Sequence, residues 1–442
     1  MRILKIALPV VMVILLALSW ISTAKDFTHS LKEYNDCIVS AETSIEDGLY
    51  DQAVEFYKES MKYKTDKSIY YKIKDVHEKH YNEEHTELVR NNYIKDMDEA
   101  ANKYPKEATF WCSIANLYIE AQNYSSAYKS VKKGKKLGAN SEELDALYNT
   151  LTYMTKVESK VYYGFSTALN GYISLFNGEY WKAIDEKGKQ ISEENVYSYI
   201  GTLNDNGTGM YVNDKETRLI DKKGIARARF SFKATETGCY DEKSGLIPVK
   251  INDKWQYVKD SGELDSNKYE FAGSFFSDKA AVYDGKKWFI INQNFETVSD
   301  KEFEDIKLDL YGNCVQGEII IAKENGKYHL YDTNISQKND FECDDIDICI
   351  NNSPIAFKNN DKWGFIKPDG KIVIEPTYKS AKSFSENYAA ISNGDGKWGY
   401  INDDNELVIK YEYKDAFYFS SGNKSFVSVT EDSYQVLRFL LQ

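Results

Sequence analysis

A chain of 442 residues, 42% hydrophobic and 28% charged, is too long for one ordinary domain and too apolar for wholesale disorder. Its net charge of −13 argues against a nucleic-acid partner, because phosphate binding needs a basic face. The 35 Tyr against 6 Pro call for pleated, half-buried surface and so for a large β component, while 5 His and 6 Cys leave little material for a metal or nucleophile site.

At the N-terminus, Arg2 and Lys5 precede an uncharged run from Ile6 to Ala24. Helical, that run spans about 28 Å, close to the thickness of a bilayer's hydrocarbon. Trp20 suits the interface and the positive flank stays inside, so residues 1–25 predict a single-pass signal anchor with the bulk extracytoplasmic. Ser22-Thr23-Ala24 also suits a signal peptidase, which would release the protein as secreted; the length of the apolar run favours the anchor.

Residues 30–158 lack strand alternation and predict helices. Gly48-Leu-Tyr-Asp-Gln-Ala53 matches Gln122-Asn-Tyr-Ser-Ser-Ala127, and Ala41 matches Ala115, at an offset of 74 residues. Each window places a small residue where two helices must approach closely. Trp111, Ile114, Ala115, Tyr118, Ala127, Val131 and Gly134 follow a spacing that resembles the tetratricopeptide repeat. The offset is about two periods, so a divergent third repeat is expected around Asp66 to Tyr104. Pro105 breaks the chain before the helix carrying Trp111, and Asn140-Ser141 opens a capping helix. His77, His80 and Glu84 could face a metal from one helix, but the spacing is not His-Glu-x-x-His, and a solvated helix face is the expectation.

The segment 160–442 is periodic. Lys362-Trp-Gly-Phe-Ile-Lys-Pro-Asp-Gly-Lys-Ile-Val-Ile374 aligns with Lys397-Trp-Gly-Tyr-Ile-Asn-Asp-Asp-Asn-Glu-Leu-Val-Ile409 without a gap, at an offset of 35. Weaker copies place Trp181, Arg218, Trp255, Trp288, Tyr328, Trp363, Trp398 and Tyr434 at one point of eight cycles. Each cycle reads as a strand, a tight turn such as Asn393-Gly-Asp-Gly396, a second strand, a turn such as Lys367-Pro-Asp-Gly370, and a third strand. A connector then ends in Phe-Ser, as at Phe165, Phe276, Phe384 and Phe419.

The Lys-Trp-Gly-Phe/Tyr-Ile core followed by Asp-Gly-Lys-Ile-Val-Ile resembles the WG (KWG) β-repeat of bacterial proteins. The resemblance implies a repeat domain without assigned chemistry, set in a membrane-anchored bacterial envelope protein. The fold class expected is multidomain α plus all-β: an N-terminal transmembrane helix, a tetratricopeptide-like array, and a β-repeat array. Eight cycles suit a closed propeller, which removes exposed strand edges; an open β-solenoid has the same period.

No catalytic, cofactor-binding or metal-ligating residue is predicted. Phosphate loops, nucleophile elbows and His-Glu-x-x-His helices are absent from the sequence, and His329 falls in an alternating strand. Asp344-Asp345 and the acidic tract from Asn402 to Asn405 read as turns rather than Ca²⁺ loops. Cys37, Cys112, Cys239, Cys314, Cys343 and Cys349 read as isolated thiols, with a Cys343–Cys349 disulfide as the alternative. The Trp series reads as packing between repeats rather than a carbohydrate ladder. The function expected is non-enzymatic binding of a protein or peptide partner, with cell-wall glycan binding as the alternative.

Overall fold

Short polar residues ahead of apolar-periodic runs start the helices. Asp66, Thr86, Asn123 and Ser141 each cap a helix by accepting a backbone N–H of its first turn, at 2.9, 3.3, 3.1 and 3.1 Å. The structure, a computed structural model, describes residues 27–167, 171–185, 187–421 and 423–441. They divide into a helical unit up to Met154 and a β unit from Thr155 to Leu440.

Among the described residues the helical unit has seven helices: α1 (27–46), α2 (Tyr50–Tyr63), α3 (Lys67–Glu83), α4 (Glu87–Lys103), α5 (Ala108–Glu120), α6 (Tyr124–Lys136) and α7 (Glu142–Thr152). The region expected to hold a divergent third repeat forms α3 and α4. Ala41, Ala53, Ala115 and Ala127 are fully buried, as close helix approach requires. Trp111 is buried too, and its Nε1 donates to Pro105 O at 2.9 Å, which fixes the break before α5.

The expectation of a single-pass, membrane-anchored protein is overturned: among the described residues no helix is long and apolar enough to cross a membrane. The helices that are long enough interleave Lys and Glu with their apolar face, as α3 does with Lys72, Lys74, Glu78 and Lys79. The apolar run 6–24 lies outside the described residues.

The β unit is an eight-bladed propeller. Its blades are antiparallel sheets spanning 164–197, 199–230, 236–269, 271–303, 305–343, 345–378, 380–413 and 415–439. Blade 7 shows the plan: a two-residue inner strand (Ser380–Ala381), then Tyr388–Ser392, Trp398–Asn402 and the outer strand Leu407–Tyr413. The repeating aromatic is the first or second residue of the third strand in seven blades; in blade 2 Arg218 stands there, inside Thr217–Ile220.

Blade 8 decides between ring and solenoid. Its outer strand is Thr155–Tyr162, from the start of the unit, pairing Thr155 with Phe439 and Tyr162 with Tyr434. The chain therefore closes on itself, and no sheet edge is left between the last blade and the first. Tyr162, Phe426 and Val436 of blade 8 bury against Ile173 and Leu175 of blade 1, and Phe165 stacks on Phe426 at 4.0 Å.

The other apolar clusters likewise lie between blades. Ala356 and Phe365 of blade 6 meet Ala381, Phe384 and Ile391 of blade 7. A fully buried Phe365 contributes roughly 1.5–3 kcal/mol through the surface it removes from water, but only with its neighbouring blade in place. One register in the connectors differs from expectation: Phe276 is exposed, and Phe275 fills the core position that Phe384 and Phe419 fill elsewhere.

Candidate functional site

The loops joining each inner strand to the next strand converge on the propeller axis. Those of blades 2 to 6 line a cavity of about 430 Å³. Asp205, Asp241, Glu242 and Asp309 supply negative charge, Tyr240, Phe275 and Tyr311 supply aromatic wall, and no Lys, Arg or His lines it among the described residues.

Local turn chemistry sets the positions. Asp309 accepts the backbone N–H groups of Tyr311 and Asn313 at 2.9 and 2.8 Å, and the Asn313 amide Nδ2 at 3.1 Å. Asn204 makes the same turn in blade 2, accepting from Asn206 and Thr208 at 3.0 and 2.9 Å. Burial pushes the Asp309 carboxyl up to about 6, against the pull of those donors. Tyr311 of blade 5 reaches over to blade 2, its hydroxyl donating to Asp205 at 2.8 Å. Asn206 Nδ2 donates to Glu242 at 2.8 Å, and Gln316 accepts the Cys349 N–H at 2.6 Å.

Farther round the ring, Tyr418 of blade 8 donates to both carboxylate oxygens of Asp347 in blade 6, at 2.7 and 2.8 Å. The same carboxylate accepts Ser383 N of blade 7 at 2.7 Å. Burial, reinforced by Asp347, holds the Tyr418 phenol well above its ordinary range. Beside it Lys382 pairs with Asp415 at 3.0 Å and lies 3.7 Å from the centre of the Phe417 ring, and burial lowers its affinity for a proton. These contacts tie blades 6, 7 and 8 together.

The cysteines are free thiols, so Cys343 and Cys349 are not bridged. Burial pushes Cys349 up to about 11 and Cys343 up to about 12, which keeps both protonated and poorly nucleophilic. Asp344 pairs with Lys327 at 2.5 Å and Asp345 with Lys307 at 3.1 Å, and Asn402 Oδ1 accepts Glu406 N at 2.8 Å. Asp344 and Asp345 are thus spent on lysines and Asn402 on a turn amide, while Asp403 and Asp404 are exposed.

The histidine tract corrects the expectation of a solvated face. His77 is buried, its Nε2 lies 2.8 Å from Asp96 Oδ2, and its ring stacks on Tyr93. Lys58 completes the buried network at 2.6 Å from Asp96. His80 is turned away, stacked on Tyr50 at 5.0 Å, with Glu84 at 3.6 Å. Asp96 comes from α4, nineteen residues on, so no local spacing could reveal it.

The repeat aromatics pack between blades: Trp255 is buried, and Trp181, Trp288, Trp363 and Tyr434 are half-buried against interblade clusters. Sequence reasoning missed Asp205, Asp309, Tyr311, Asp347 and Tyr418. An Asp with Asn four residues on, as in Asp309-Leu-Tyr-Gly-Asn313, is a turn signal, but nothing in it says that the turn faces an axis.

Several known structures are similar to parts of this chain at low identity. The WD40 domain of SCAP from fission yeast is 10% identical, covering 64% of this chain and 97% of its own, with a TM-score of 0.39. The Cps50 (Swd1) β-propeller domain of Myceliophteria thermophila is 7% identical over 64% of this chain and 98% of its own, at 0.35. The Sgt2 TPR domain of Aspergillus fumigatus is 13% identical over 27% of this chain and 76% of its own, at 0.21. No curated protein matches in sequence. Residues 363–398 and 398–431 match the model of the WG containing repeat, and each match runs from the third strand of one blade into the next blade.

Proposed function

We propose that the chain is a non-enzymatic interaction scaffold whose propeller takes a basic side chain of a protein partner into the axial cavity. The observation that carries this reading is the cavity: five blades contribute carboxylates, carboxamides and aromatic rings to it and no cation. An ammonium or guanidinium entering there meets Asp309 and Asp205 in a partly desolvated setting, where charge–charge attraction is stronger than in water, and aromatic faces that favour cations. We also read α1–α7 as a tetratricopeptide-like array. It carries a groove of about 400 Å³ with Lys74, Tyr81, Asn82, Asn116 and Glu143 in its lining, polar enough to hold an extended segment.

Selection of displayed random peptides on the full chain tests the reading. Recovered sequences are expected to be rich in Lys or Arg, and Asp205→Asn with Glu242→Gln is expected to weaken their binding by about tenfold or more. Recovery of sequences without basic enrichment overturns it, and co-sedimentation with purified wall polymer in place of peptide binding would favour glycan recognition instead.

A further inference from the structure

The seam where the ring closes brings two lysines together. Lys160 lies on the outer strand of blade 8, in the stretch between Val157 and Val161 where the register shifts. Such a bulge re-aims the side chains it carries. Lys182 lies on the third strand of blade 1 (Trp181–Ile184). Both ammonium groups sit over the Tyr162 ring, 5.9 and 5.3 Å from its centre, and both line the same cavity.

Among the described residues, no carboxylate forms an ion pair with either lysine. Glu158 is engaged by Arg438 at 3.5 Å, and Asp185 accepts the backbone N–H groups of Lys187 and Lys189 at 3.0 and 2.8 Å. Glu194 is exposed; it acts to raise the Lys182 proton affinity, but burial and Lys160 outweigh it and push that amine down to about 8. The pair opens onto a cavity of about 170 Å³ whose lining also includes Asn177, Tyr180, Gln190 and Asn195, with Glu194 as its one carboxylate against the two lysines. On its other side Lys182 lines a second cavity, of about 300 Å³, where Lys187, Lys424 and Arg438 outnumber the carboxylates of Glu158 and Asp185. In a chain of net charge −13, this is a concentrated positive site.

We propose that Lys160 and Lys182 form a binding site for a dianionic oxyanion, a phosphate group or a small dicarboxylate. Its two charges replace the counter-ion the lysines lack, and the cavity's amides supply further donors. Because one lysine comes from the closing strand and the other from blade 1, a bound anion clamps the seam and stabilises the closed ring.

Acylation of the full chain, read lysine by lysine by mass spectrometry across pH 6 to 10, tests the site. Inorganic phosphate and malonate are compared with potassium chloride at matched ionic strength. Without ligand, Lys182 is expected to label with a midpoint near 8. A bound anion is expected to raise that midpoint by about one unit and slow labelling about tenfold near neutral pH. Lys160→Gln is expected to return the midpoint toward that of an ordinary lysine and abolish the anion effect. Glu194→Gln is expected to leave the anion effect in place. Protection by phosphate alone assigns a phosphate-type ligand, and protection by both assigns any dianion of that size. An unchanged midpoint with either anion, or equal protection in Lys160→Gln, overturns the proposal.

Discussion

Blades 4 and 7 have the same spacing between third and outer strands, yet they pair differently. In blade 4 the bridges Trp288–Phe303 and Ile291–Thr297 hold only the two ends of the outer segment. In blade 7 the equivalent pairs Trp398–Tyr413 and Ile401–Leu407 are joined by a middle pair, Tyr400–Ile409, and the outer strand is continuous. Blade 6 matches blade 7, with Phe365–Ile374 in the middle. The residue after the aromatic separates them: Phe289 in blade 4, Gly399 and Gly364 in blades 7 and 6. A β-carbon on Gly399 would stand 2.4 Å from Ile409 O, and one on Gly364 2.4 Å from Ile374 O. Glycine there lets the bulged outer strand lie flat on its neighbour. Blade 5 shows the other solution: with His329 at this position it sets Glu342 opposite and moves its bulge past the histidine.

The sharpest way to break this account is to put a side chain where the two strands touch. Gly364→Val and Gly399→Val are each expected to cost roughly 1–3 kcal/mol, because the obstacle is backbone that cannot rotate aside. Thermal unfolding of the β unit should then fall by several degrees per variant, at about 2–4 °C per kcal/mol for a body of this size. Amide exchange over 407–413 in Gly399→Val should rise toward that of 297–303 in blade 4. If melting and exchange stay at the wild-type values, the glycine does not set the outer-strand pairing.

A second contrast between blades is electrostatic. Blades 2 and 5 build one turn at the axis from Asn204 and from Asp309. Only the carboxylate titrates, and burial raises it from 3.8 to about 6. Between those values the folded chain holds a proton that the unfolded chain has lost, so this group makes stability fall as pH rises through that window and leaves it level above. Asp309→Asn keeps an acceptor for the turn, as blade 2 demonstrates, and removes the titration. Denaturant unfolding at pH 4 and pH 7 should therefore show Asp309→Asn gaining on wild type as pH rises, by on the order of 2–3 kcal/mol in all. A difference between the two proteins that does not change with pH would mean the carboxyl titrates normally.

What the sequence disclosed follows how local each feature is. The eight-cycle period, the hairpins and the buried alanines of the helices depend on residues a few positions apart, and Trp-Gly-Phe/Tyr-Ile marks the third strand in blades 6 and 7 directly. Closure by Thr155–Tyr162 depends on pairing across nearly the whole unit, and the first four residues of that strand, 155–158, sit where the helical stretch was read to continue. The axial cavity was illegible for the same reason. Asp205 and Tyr311 are 106 positions apart, and their meeting is a property of the ring rather than of either turn. The buried His77–Asp96 pair repeats the lesson in the helices, since a polar-looking tract hid an inward-facing histidine.

The smallest effect expected lies in the turns between third and outer strands, where blades 5 and 6 differ again. Blade 5 uses Asp332, whose carboxylate accepts Asn334 N at 2.8 Å and Ser336 N at 2.9 Å. Blade 6 starts the same turn with Lys367, which has no acceptor; there Asp369 accepts Lys371 N at 2.9 Å and Pro368 presets the backbone. Asp332→Ala removes the oxygen that accepts both bonds from a partly exposed turn where water can replace it, so the cost should be only about 0.5–1 kcal/mol. Lys367→Ala should cost nothing measurable. Both variants can be read in one denaturant series with wild type, and amide exchange at Ser336 should rise only in Asp332→Ala. Equal losses in the two variants would show that the turn is held by its backbone alone and that the Asp contributes no more than the Lys does.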